Sequence, residues 1–113
     1  MADLNALYNE ANSLKDDGKL EEAIAKLGEL LEQDETYALA HSALAVLLGK
    51  VNRHEDAVKH AQRVCELEPT DAFSFTAMSV TFQRAYAGTN NQEYIRLAEE
   101  AMERGRMIQS GMV

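Results

Sequence analysis

Four side chains in the 113-residue sequence carry imidazole or thiol chemistry: His41, His54, His60 and Cys65. Nucleophilic or acid–base catalysis needs such a group beside an orienting partner, and a zinc site needs His, Cys or carboxylate donors at close spacing. Neither pattern is present. His54 opens a helical segment, and His60 is expected to face solvent. Cys65 lies late in an apolar stripe near Leu67, where a thiol reads as a small buried side chain rather than a nucleophile. The acid pairs Asp16–Asp17, Glu21–Glu22 and Glu99–Glu100 are adjacent, so on a helix their side chains diverge by about 100° and do not converge on a substrate. Gly18, Gly49, Gly88 and Gly105 fall at expected helix ends, where left-handed caps explain them, and no Gly-rich phosphate loop occurs. The expectation is a non-enzyme with no cofactor, no metal and no catalytic residue.

Composition agrees with that bland chemistry. Apolar residues make up 46% and charged residues 27%, a globular balance. The length suits one domain able to bury roughly two-thirds of its unfolded surface. A lone Cys excludes a disulfide scaffold. No apolar run nears the roughly 18 residues of a membrane span, and the first residues, MADLNALYNE, lack a basic and an apolar leader region. A soluble, cytoplasmic protein is expected. The net charge is −8, and it is uneven. Residues 1–37 hold ten acids and three bases, 38–71 five and four, and 72–113 four and four. Without a basic patch, nucleic acid and anionic membrane are poor partners.

The elements are helical throughout. Leu4, Leu7, Tyr8, Ala11 and Leu14 recur at three and four, and Gly18 breaks the pattern. Leu20, Ala23, Ile24, Leu27, Leu30 and Leu31 form a second amphipathic stripe. Ala38 to Gly49 is apolar on nearly every side, as a helix wedged between neighbours would be. Ala57, Val58, Ala61, Val64, Cys65 and Leu67 form a fourth stripe, stopped by Pro69. Thr70 or Asp71 offers an N-cap for a helix over 72–87. Gly88 is expected to end it, Asn90 with Glu93 to form a capping box, and a last helix to run to about Gly105.

The stripes repeat. A shift of 34 residues aligns Ala11 with Ala45, Leu14 with Leu48, Ala23 with Ala57, Ile24 with Val58 and Leu30 with Val64. Two helices and two turns fill such a period, and a hairpin of that kind needs the next one to cover it. Three units fit, over about 4–37, 38–71 and 72–108. A three-residue insertion in the third lengthens its turn through GTNNQE, and 109–113 form a tail.

The middle unit, with His41, Leu44, Ala45, Leu48, Ala57, Ala61, Val64 and Pro69, resembles a tetratricopeptide repeat (TPR). The first unit follows with Leu7, Ala11, Leu14, Gly18, Leu20, Ala23, Leu27 and Leu30, departing at Glu10 and Glu35, where the family has Leu and Pro. The third supplies Phe75, Met78, Ser79, Phe82, Tyr94, Ala98 and Ala101. The resemblance implies an all-α, right-handed superhelical stack of three antiparallel hairpins, about six helices in one domain over 1–113. It places His41 as a partly buried hairpin residue.

The resemblance also implies a protein-interaction module. Its groove positions fall on Asn5, Tyr8, Asn12 and Lys15, on Leu39, Ser42, Val46 and Lys50, and on Phe73, Thr76, Val80 and Arg84. That floor is apolar and small-polar, with Lys15, Lys50 and Arg84 towards one end. A peptide or helix of a protein partner is its implied occupant, in an adaptor, scaffold or chaperone-like role. The family's carboxylate clamp falls on Tyr8, Asn12, Ala43, Thr76 and Val80, and only Asn12 fits it, so capture of an acidic C-terminus through that clamp is not expected.

After Gly105, RMIQSGMV is too short for the extra solvating helix that ends many such arrays. Tyr94, Leu97, Ala101, Met102, Met107 and Ile108 are therefore candidates for exposure, with Met112 and Val113 nearby. This leaves a second reading open: a homodimer or larger self-assembling scaffold joined through the third repeat, unless the tail folds back as a lid.

Overall fold

The computed structural model describes residues 3–111. Its six helices are α1 (Leu4–Asp16), α2 (Leu20–Gln33), α3 (Ala38–Lys50), α4 (His54–Leu67), α5 (Ala72–Thr89) and α6 (Glu93–Gln109), with no strand among the described residues. Met112 and Val113 lie outside them. Each helix packs on its sequence neighbours, and α5 also reaches α3. The chain is an all-helical stack of hairpins measuring 41 × 32 × 21 Å.

Helix starts and stops follow the repeat. Asp3 caps α1 by accepting from Asn5 N (3.0 Å), and Asp71 caps α5 by accepting from Phe73 N (3.1 Å). Each carboxylate satisfies one of the free N–H groups of a first turn. After α1, Gly18 takes φ +80°, and after α3, Asn52 stands 34 residues later with φ 64°. Left-handed backbone suits Gly and is tolerated by Asn.

The third hairpin departs from expectation. α5 continues through Gly88 and Thr89 and stops at Asn90, φ 61°. Most of the inserted sequence therefore lengthens a helix rather than a turn. The expected Asn90–Glu93 capping box does not form, because Asn90 is the left-handed C-cap and Asn91 Oδ1 accepts from Glu93 N instead (3.1 Å). Gly88 serves close approach. A Cβ there would stand 2.2 Å from His54 Nε2, so glycine lets the end of α5 press on the start of α4. That Nε2 is buried without a hydrogen-bond partner. Gly49 and Gly105 likewise lie within α3 and α6, not at left-handed caps. α6 runs past Gly105 to Gln109, so residues 106–109 extend the helix and do not form a free tail.

Two apolar clusters hold the stack. Leu7, Ala11, Ala23, Leu27, Leu30, Leu44, Leu47 and Leu48 join the first hairpin to α3, with Ala57 of α4 at their edge. Val58, Phe82, Ala85, Ala98 and Ala101 join α4 to the third hairpin. Neighbouring residues of α4 thus serve both clusters. Small side chains mark the closest approaches: Ala11, Ala23, Ala57, Ser79 and Ala85 are essentially buried. Ser79 keeps its hydroxyl satisfied by donating to Ala98 O (2.9 Å), as a buried polar group must.

A polar junction ties the first hairpin to the second. His41 is buried, and its Nε2 lies 2.7 Å from Glu35 O. A carbonyl only accepts, so Nε2 carries a proton and donates to it. His41 Nδ1 and His60 Nδ1 stand 2.9 Å apart and share one hydrogen. His60 is therefore half-buried against His41 rather than facing solvent. Arg63 donates twice to the Glu35 carboxylate (2.6 and 2.7 Å). Glu35 thus has a job in place of the family's Pro, and Arg63 holds its carboxyl below the ordinary range. Burial, then the His41 ring, lowers the His60 pKa against the pull of Asp56 and Glu35.

Two outcomes follow. Leu27→Ala should cost about 2–5 kcal/mol in urea unfolding, whereas exposed Leu39→Ala should change stability by less than about 0.5 kcal/mol. The His60 pKa is lowered on folding, so the unfolded chain binds that proton first, below its value of about 6.5. The contribution of neutral His60 is full above that pH and is lost as pH falls further. Melting temperature should drop between pH 7.5 and 5.5, and His60→Gln, which retains a donor for His41, should flatten the drop. Equal slopes for both proteins would contradict the pairing.

Candidate peptide-binding groove

α3 and α5 lie side by side with α4 beneath them. Ser42 and Val46 from α3 and Phe73, Thr76, Val80 and Arg84 from α5 line one cavity of about 380 Å³. Helical spacings of three and four put each set on one stripe. Ala45, Ala61 and Val64 form the floor, and Ala77, Met78 and Thr81 complete the α5 wall. Val46, Phe73 and Val80 are 40, 75 and 39% exposed. These three side chains make an open apolar surface beside small polar groups. The lining contains the cation Arg84 and no carboxylate.

The other sequence-predicted groove residues stand apart from this cavity. Leu39 is exposed near the start of α3, and Lys50 is exposed at its end. In the first hairpin, Asn5 Oδ1 accepts from the Tyr37 hydroxyl (2.7 Å), and the Tyr8 and Tyr37 rings lie 5.9 Å apart. Asn12 is half-buried, and Lys15 is exposed with its amine 3.9 Å from Asp16. The three cations expected at one end thus reduce, along this cavity, to Arg84. Among the clamp positions, Ala43 packs against the first apolar cluster rather than lining the cavity.

Tyr37 is not among the sequence-predicted residues. It precedes α3 at the place that Asp3 and Asp71 occupy before α1 and α5, and that 34-residue register is its signal. The floor residues Ala61 and Val64 escape the sequence reading because the resemblance assigns the groove to the first helix of each hairpin.

A second concavity, about 510 Å³, lies between α5 and α6, lined by residues including Ser79, Gln83, Tyr86, Ile95, Ala98, Glu99, Met102 and Arg106. Here the expected exposed set needs correction. Ala101 is buried, Tyr94 and Leu97 pack into the second cluster, and the Tyr94 and Phe82 rings stack at 6.0 Å. Met107 and Ile108 are half-buried. Met102 is open as expected, and the other open apolar residue is Ile95.

The groups that suggested chemistry are placed as follows. Cys65 is buried, its thiol donates to Ser74 O (3.4 Å), and burial pushes its pKa up to about 11. That is the opposite of an activated thiolate. The His41–His60 pair is engaged in the hairpin junction, and His54 Nε2 is sealed against Gly88. No three metal-type donors cluster among the described residues.

Residues 11–52 match a family model described as a TPR repeat. No curated protein matches the chain. The matched stretch runs from α1 through α3, the join between the first two hairpins. That match, together with six helices stacked as hairpins, fits a small TPR-repeat protein, and the matched family is in general one of non-catalytic protein-interaction modules.

Proposed function

We propose that the chain is an adaptor that captures a helical or extended segment of a protein partner in the α3–α5 groove. The observation that carries this reading is the exposure of Val46, Phe73 and Val80 around one cavity whose lining holds no carboxylate. Phe73 is the natural anchor. Its ring is 75% exposed, and covering a large apolar side chain contributes about 1.5–3 kcal/mol. Val46 and Val80 line the same cavity and would receive apolar anchors three, four or seven apart on a docking helix. Arg84 selects the orientation by attracting an acidic group at one end of the segment, a contribution to specificity and association rate more than to affinity. Small Ala45, Ala61 and Ala77 let a bound backbone approach closely.

A library of synthetic amphipathic peptides with one acidic terminus tests the reading. Val46→Glu with Phe73→Glu should weaken capture at least about tenfold while leaving the far-UV helical spectrum intact. Arg84→Glu should reverse the preference for an acidic over a basic terminus and leave binding of a neutral peptide nearly unchanged. Capture that survives the double substitution would refute the groove as the site.

A further inference from the structure

The outer face of α6 repeats, one hairpin later, a face that is covered inside the chain. On α4, Val58 and Cys65 are each 7% exposed because α5 lies across them. Val58 clusters with Phe82, and the Cys65 thiol donates to Ser74 O. The repeat period plus the three-residue insertion carries Val58 to Ile95 and Cys65 to Met102. Those two are 39 and 45% exposed, and they border the concavity of about 510 Å³ between α5 and α6. The groove that α5 fills has thus been rebuilt without an occupant among the described residues.

We propose that a second copy of the chain covers it, the two α6 helices meeting antiparallel about a twofold axis near Met102. Charge distribution favours this arrangement. Residues 72–113 carry four acids and four bases, against ten and three in residues 1–37. Joining neutral ends keeps the two acidic ends farthest apart, where screening is greatest. Continuation of the stack head to tail is disfavoured, because α1 has Asn9 and exposed Glu10 on its outer side, with Glu10 ion-paired to Lys26 at 3.4 Å. Such a surface would set a carboxylate on Ile95 and Met102, which costs its desolvation.

Charge complementarity supplies the register. Glu99 and Arg106 lie three residues before and four after Met102, on the same stripe of α6 and bordering the same concavity. With a rise of about 1.5 Å per residue, reversal about a point midway between Met102 and Glu103 brings each Glu99 level with the second copy's Arg106. A twofold axis makes that pair twice, and an isologous contact closes at two copies.

Sedimentation equilibrium of the full chain from about 1 µM to about 1 mM should show a monomer–dimer equilibrium. Glu99→Arg alone and Arg106→Glu alone should each weaken it at least about tenfold by placing like charges together. An equimolar mixture of the two variants should restore the dimer, because across the mixed interface every arginine at these two positions then faces a glutamate. Ile95→Glu with Met102→Glu should give a monomer with an unchanged helical spectrum. A wild-type monomer throughout, assembly growing beyond two copies, or a dimer indifferent to the charge reversals would each overturn the proposal.

Discussion

A helical hairpin covers one of its own faces and leaves the other for its neighbour, so the chain's shape follows from how each hairpin is covered in turn. α4 carries this most plainly. Ala57 completes the cluster built on Leu27, Leu30 and Leu48, and the next residue, Val58, opens the cluster built on Phe82 and Ala85. Adjacent side chains point about 100° apart on a helix, so one helix serves two interfaces. α3, apolar on nearly all sides, packs on α2, α4 and α5 and leaves one exposed stripe through Leu39, Ser42 and Val46.

Both open surfaces are consequences of that covering. Where α5 lies beside α3, large side chains cannot fill the space over Ala45, Ala61 and Ala77, and a groove remains with Val46, Phe73 and Val80 at its rim. Where the next helix would lie over α6, Ile95 and Met102 remain open. The first hairpin differs. Its outer side is polar, and Glu10, which breaks the family pattern, is accounted for by solvent and Lys26. Acidity gathered at that end and neutrality at the other give the stack a direction as well as a shape.

What the sequence carries openly is periodicity. The apolar stripes, the caps at Asp71 and Gly18, the burial of Cys65 and the six helices all depend on residues a few positions apart, whereas the burial of His41 is legible only through the family resemblance. What it conceals depends on rotation and on distant partners. His60 reads as solvent-facing from its own stripe; its contact is His41, 19 residues away across a hairpin. The continuation of α5 through Gly88 follows from the press against His54, which no local pattern announces. Tyr94, Leu97 and Ala101 read as surface in the sequence, yet they face inward, and Ile95 faces out. The period plus the three-residue insertion carries Ala57, Ala61 and Val64 of α4 to Tyr94, Ala98 and Ala101, so the same stripe of α6 meets the core.

The most direct measurement of the groove reading is residue-resolved amide chemical-shift mapping during titration with an acidic-ended amphipathic peptide. Shifts should concentrate on the facing stripes of α3 and α5, at Ser42, Val46, Phe73, Thr76, Val80 and Arg84, and stay small on α2 and on the outer face of α6. Saturable shifts centred on α2 or α6, with the α3–α5 stripes unmoved, would contradict it.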